Sequence, residues 1–171
     1  MMWVIGAGYF PVALVNARIV PEWRFEKNLA GMEHYLSVAG GPFRDELSRE
    51  FVENPSELRR YTLLQIIEDR LVHDEVVERF GGELEEMVSD KLLSATSTQT
   101  LSDAAQTLYG LQFDEFSQIF LEPVAERELL DEALAKENTS FEDWLMAKKQ
   151  NAKVHLFITA FIWKDGEVLE K

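Results

Sequence analysis

The chain reads as a mainly α protein whose two ends meet in a small β element, and three observations carry that expectation. Strand-like stretches stand at both ends. Everything between them repeats apolar residues at helical spacing. The N-terminal strand has no partner nearby except its own return, and an isolated two-stranded piece is marginal in water. With 171 residues there is room for one domain, and we expect the boundaries 1–11 and 12–171. Residues 1–11 form an apolar N-terminal segment, read as the possible remnant of a membrane anchor. Residues 12–171 form one helical domain that closes in a C-terminal β-hairpin (153–171).

The elements follow in order. Val12–Val15 is rich in β-branched residues and predicts a strand. Pro21 suits the first turn of a helix, and Trp23, Phe25, Leu29, Met32, Tyr35 and Leu36 recur behind it at helical spacing. Gly40-Gly41-Pro42 ends that element. A shorter helix carries Phe43, Leu47, Phe51 and Val52 on one side. Asn54-Pro55-Ser56-Glu57 is the clearest helix start, an N-cap, a proline at the first position and a capping-box spacing. The helix behind it is apolar almost all round between Tyr61 and Leu71, so we expect it to be central and buried. Gly81-Gly82 stops it.

Glu83–Leu93 is a further short helix, 94–100 a polar loop, and Leu101–Tyr109 a brief helix stopped by Gly110. Phe113–Glu137 is long and helical, with Phe116, Ile119, Phe120, Val124, Leu129, Leu130 and Leu134 on its apolar side. Pro123 should kink or break it. Thr139 or Ser140 caps a last helix through Trp144, Leu145 and Met146. Then the period changes: Val154–Trp163 is β-rich, and Asp165-Gly166 signals a two-residue hairpin.

Composition narrows the function classes. Seventeen basic residues against 31 acidic ones give a net charge of −14. That excludes nucleic acid as the main partner, since such affinity comes largely from Lys and Arg neutralising phosphates. It also speaks against a basic membrane-surface helix. Cysteine is absent, which excludes disulfides, thiolate catalysis and Cys-ligated zinc. Met1–Phe10 is apolar but far short of the ~20 residues of a membrane span, and it lacks the basic start of a signal peptide.

Candidate chemistry is sparse. Val4-Ile-Gly-Ala-Gly8 begins like a dinucleotide fingerprint, but Pro11 stands where a third glycine belongs and a strand follows instead of a helix. Asp69 and His73, four apart, share a helix face, which makes a surface contact or two ligands of a metal; two ligands do not make a zinc site. Adjacent carboxylates such as Glu68-Asp69, Glu85-Glu86, Asp114-Glu115 and Asp131-Glu132 point to different helix faces and read as solvated. No nucleophile elbow or phosphate loop occurs. We expect no catalytic residues, no metal and no cofactor.

The aromatic residues are more suggestive. Phe113, Phe116 and Phe120 lie at helical spacing with Tyr109 upstream, and Trp23 and Phe25 flank the first helix start. They either fill a core or line a groove for polypeptide segments. In the groove reading Trp23, Phe25, Tyr109, Phe113, Phe116 and Phe120 are the peptide-binding candidates.

Several segments taken in order carry a family likeness. They are Val15-Asn16-Ala17-Arg18-Ile19-Val20-Pro21 with Phe25 and Leu29, then Leu63-Leu64-Gln65-Ile66-Ile67 running to Gly81. Val88-Ser89-Asp90 follows, then Tyr109-Gly110 leading to Glu115-Phe116, and Pro123 beyond. Together, over Val12 to Leu134, the chain resembles the N-terminal chain-binding domain of the SurA-type periplasmic chaperones, relatives of the parvulin-type prolyl isomerases. Ala17 stands where the family has a turn glycine, so the turn geometry should differ. Only a strand-rich tail follows Lys153, too short for a parvulin domain. The resemblance implies a non-catalytic module that binds unfolded or apolar polypeptide clients. It also implies an extracytoplasmic or membrane-anchored location. Two other classes remain beside it: a structural or assembly protein of the cell envelope with a closed helical core, and a metal enzyme built on Asp69 and His73.

Overall fold

Two short sheets clamp one end of a helical body in which a single long helix runs through the middle. The computed structural model describes residues 10–38, 46–95 and 98–171. The apolar start (residues 1–9), the glycine stop at 40–42 and Phe43 lie outside these residues.

Strand β1 (Pro11–Val15) turns at Asn16-Ala17 into β2 (Arg18–Pro21), with Leu14 opposite Ile19 and Val15 opposite Arg18. Both turn residues are left-handed, Asn16 at φ 49° and Ala17 at φ 65°. That is the pair a right-twisted two-residue hairpin needs. The alanine takes a left-handed conformation that glycine adopts freely, at a cost on the order of 1 kcal/mol. Asn16 holds the turn. Its N–H donates to the Lys153 carbonyl at 2.9 Å and its Oδ1 accepts from the Lys153 N–H at 3.0 Å.

Those bonds lead into β3 (Val154–Leu156), which pairs antiparallel with β1, Leu14 opposite His155. The chain ends meet as expected, but through β3 and not through the final hairpin. The β-rich run 154–163 is not one strand. Phe157 N–H donates to Val12 O at 2.9 Å, one residue from the start of β1 at Pro11. The chain turns, Phe161 N–H donating to Ile158 O at 3.2 Å, and continues as β4 (Phe161–Lys164). β4 pairs with β5 (Glu167–Glu170) in a second sheet. Asp165 (φ 52°) and Gly166 (φ 86°) make the expected hairpin turn.

Helix α1 (Glu22–Val38) starts one residue later than expected, because Pro21 still pairs with Pro11 in the sheet. It buries Phe25, Leu29 and Leu36. Trp23, two positions from Phe25, falls about 200° away around the helix and is 46% exposed. In α2 (Glu46–Glu53) Phe51 is buried and Val52 exposed. α3 (Pro55–Phe80) is the central helix, burying Leu63, Ile66, Ile67, Val72 and Val76 among others. Asn54 caps it, its Oδ1 accepting from Ser56 N–H at 3.2 Å. The reciprocal half of the capping box is not made: Asn54 N–H donates to Glu50 O, and Glu57 binds Arg60.

Gly81 (φ 53°) ends α3 and a short 3₁₀ turn leads to α4 (Leu84–Ala95). α5 (Thr98–Ala104) begins at Thr98, so most of the expected loop 94–100 is helical. A π turn (Ala105–Tyr109) and left-handed Gly110 close it. Beyond come α6 (Phe113–Phe116), a second π turn (Ser117–Leu121) and α7 (Glu122–Lys136). Pro123 is accommodated without ending the helical path, because the preceding turn is wound wide, Glu122 N–H donating to Ser117 O five residues back. Val124 is 54% exposed and not on the apolar side. Ser140 caps α8 (Phe141–Asn151), its Oγ accepting from Asp143 N–H. Trp144 of α8 is buried and Met146 exposed.

One core lies under the sheets, around Phe25, Leu29, Leu63, Ile67, Phe161 and Val168. A second joins α3, α4, α7 and α8 through Val72, Val76, Leu129, Leu130 and Trp144. Between them sits an ionic cluster that overturns the solvated reading of Glu68-Asp69. Both side chains are buried. Lys149 Nζ donates to Glu68 at 2.9 Å, and Arg127 donates to Asp69 at 3.1 Å and to Glu68 at 3.4 Å. Among the described residues no helix is long and apolar enough to cross a membrane.

Candidate functional site

A groove of about 670 Å³ lies between α4, α5 and the α6–α7 segment. The sharp left-handed stop at Gly81 folds α4 back beside α7, and Lys91 fixes the two helices together through Glu132 (2.6 Å) and Glu128 (3.3 Å). α4 then presents Leu84, Val88 and Leu92 at spacings of four, one face of a helix. Leu101, Phe113 and Leu121 close the other side. Leu93 stands 69% exposed at the lip. Glu85 and Glu122 supply negative charge at its rim, and the buried Glu126 lies deeper in its wall.

His73 reaches the same groove. Its Nδ1 lies 2.8 Å from Glu126 Oε1, a bond in which the ring N–H donates. Asp69 does not join it; its carboxylate turns to Arg127. The two residues therefore do not form a pair, because α7 offers each a different partner. Burial pushes the Asp69 carboxyl above its ordinary value in spite of Arg127 and Arg24 beside it. Ser117 Oγ donates to Glu122 at 3.3 Å. Among the described residues no group of three or more His, Asp or Glu side chains is arranged to hold a metal ion.

The six aromatic candidates separate into four places. Phe113 lines the groove. Tyr109, Phe116 and Phe120 pack against one another with tilted rings, centres 4.8 to 5.5 Å apart, and Tyr35 stacks on Tyr109 at 5.3 Å. That cluster packs the two π turns onto α1. Phe25 is 1% exposed in the core under the sheets and has no surface to offer a ligand. Trp23 stands over a shallow hollow with Lys27, His34, Tyr109 and Gly110.

Most of the groove escaped sequence reasoning. Leu84, Val88, Leu92, Leu101 and Leu121 have the periodicity of core residues, and periodicity records burial without saying what does the burying. One signal was present in Val88-Ser89-Asp90, singled out for its family likeness: Val88 and Ser89 both line the groove. No family model matches this chain, and no curated protein or solved structure is significantly similar to it.

Proposed function

We propose that this protein is a non-catalytic, chaperone-like module that takes apolar segments of other polypeptides into the α4–α7 groove. The occupant is a segment with Leu- or Phe-type anchors flanked by Lys or Arg. The observation that carries this reading is the groove itself, apolar along both walls and acidic at its rim, on a chain of net charge −14. Burying two or three client side chains there contributes roughly 1.5–3 kcal/mol each before ordering costs. Such a balance gives weak, reversible capture, suited to a holding role. The ordered likeness to SurA-type chaperone domains supports unfolded or membrane-protein segments as clients, in a compartment outside the cytoplasm or on its membrane.

The test is binding of a fluorescent Leu/Phe peptide with basic flanks, followed by anisotropy, to the natural chain and to Leu93→Asp. The substituted leucine is exposed, so the variant keeps its fold. Saturable binding that Leu93→Asp weakens supports the reading. A natural chain that binds no such peptide, and does not slow aggregation of an unfolded client, points instead to a closed helical body with a fixed envelope partner.

A further inference from the structure

We propose that a second, polar concavity between α1, α3 and the start of α7 binds a small neutral molecule that carries an amide or hydroxyl group at one end and an apolar group at the other. Its volume is about 350 Å³, which at the ~30 Å³ that a water occupies in the liquid holds about a dozen heavy atoms. It does not open on the groove. Glu122 and Glu126 line the groove, whereas Pro123, Val124 and Arg127 line this site, so the same stretch of α7 serves as the wall between them.

The polar end is unusual for a helical interior. Thr62 is 1% exposed and its Oγ1 has no hydrogen-bond partner among the described residues. A buried hydroxyl left in that state destabilises the fold, so native structures nearly always satisfy it. Asn28, 6% exposed, and Gln65 bring amide donors and acceptors to the same walls. Asp69 completes them; Arg127 approaches it through Oδ1 alone, at 3.1 and 3.3 Å. Pro123 has no N–H to give the Ile119 carbonyl four residues back, and the turn before it is wound wide. Wide turns of this kind recur at functional sites.

Charge selects the ligand class. Glu68 and Asp69 already hold Arg127 and Lys149, and Lys149 also meets Glu167, so an added ion of either sign would compete within an existing ionic cluster. A neutral amide meets donors and acceptors without that penalty. Met32, Phe120 and Val124 supply the apolar end, and Val124, 54% exposed, stands at the mouth.

Benzamide, benzoate and benzamidine share a ring and differ in charge, so they make the probe set. Each is titrated into the full chain and followed by methyl and amide NMR. Benzamide is expected to saturate in the millimolar range and to move Ile119, Val124 and Thr62. Thr62→Val, which keeps the side chain's shape, should weaken benzamide about fivefold, and Val124→Trp should block it at the mouth while leaving the core untouched. The proposal is overturned by unsaturable shifts, by either ion binding as well as benzamide, or by full affinity in both variants. Peptide capture in the groove is read from other residues, so the two readings fail separately.

Discussion

Replacing Lys149 with methionine tests whether the buried ionic cluster holds the helices and the second sheet together. The ammonium lies 2.9 Å from Glu68 and 3.1 Å from Glu167, and the Lys149 side chain is 14% exposed. Glu167 is half exposed, so its contact contributes little. Glu68 is different, because 9% of its side chain is accessible and it would keep only Arg127, at 3.4 Å. Breaking a buried pair costs about 3–5 kcal/mol when nothing remains for the survivor. With Arg127 still in reach we expect about 2–3 kcal/mol. At a urea slope of about 2 kcal/mol per molar, the unfolding midpoint should fall by about 1–1.5 M. Methionine keeps the aliphatic stem, so lost packing adds little. Glu68→Gln in the same background should recover most of the loss, with a coupling of about 2 kcal/mol in the double-mutant cycle. A midpoint shift below about 0.3 M, or a coupling near zero, refutes the reasoning and places these charges in effective contact with water.

Asp69→Asn gives a pH signature. Burial raises the Asp69 carboxyl above its ordinary 3.8, so the native state binds more protons than the unfolded one between that value and the raised one. The ionised group therefore costs stability at neutral pH, and the cost disappears as pH falls below the ordinary value. The asparagine variant should equal or exceed the natural chain's denaturant midpoint at pH 7 and lose that advantage at pH 3; a large deficit at pH 7 contradicts the assignment. Ala17→Gly relieves a left-handed alanine at φ 65° and should raise the midpoint by up to about 1 kcal/mol equivalent; calorimetry showing no gain would place the strain elsewhere. Gly166→Ala should cost about 1–2 kcal/mol, since φ is 86° and an added Cβ would lie 3.2 Å from Lys149 Cβ; an unchanged melt would show that the turn relaxes freely.

Local chemistry was legible wherever one residue decides it. Asn54, Ser140, Gly81, Gly110 and Asp165-Gly166 mark the element ends that the structure shows. The central helix was legible too, because Tyr61, Leu63, Leu64, Ile66, Ile67 and Leu71 spread apolar side chains around more than half of it. What could not be read depends on partners far along the chain. The break between β3 and β4 falls opposite the start of β1 at Pro11, more than a hundred positions away. The burial of Glu68-Asp69 arises from cations on α7 and α8. The wide turn before Pro123 is a backbone solution that no residue type announces. The groove was the least legible. Phe113 alone of its lining stood among the peptide-binding candidates, since a leucine that lines a groove repeats like one that fills a core.

Methyl-resolved NMR shows whether that groove takes a peptide. A basic-flanked Leu/Phe peptide is added to the chain, and the methyl groups that move are mapped. Peptide capture in the groove gives saturable shifts at Leu84, Val88, Leu92, Leu101 and Leu121, weakened when the peptide's flanks are made acidic. Shifts confined to the hollow beside Trp23 and Tyr109, or no saturable shift at all, would contradict it.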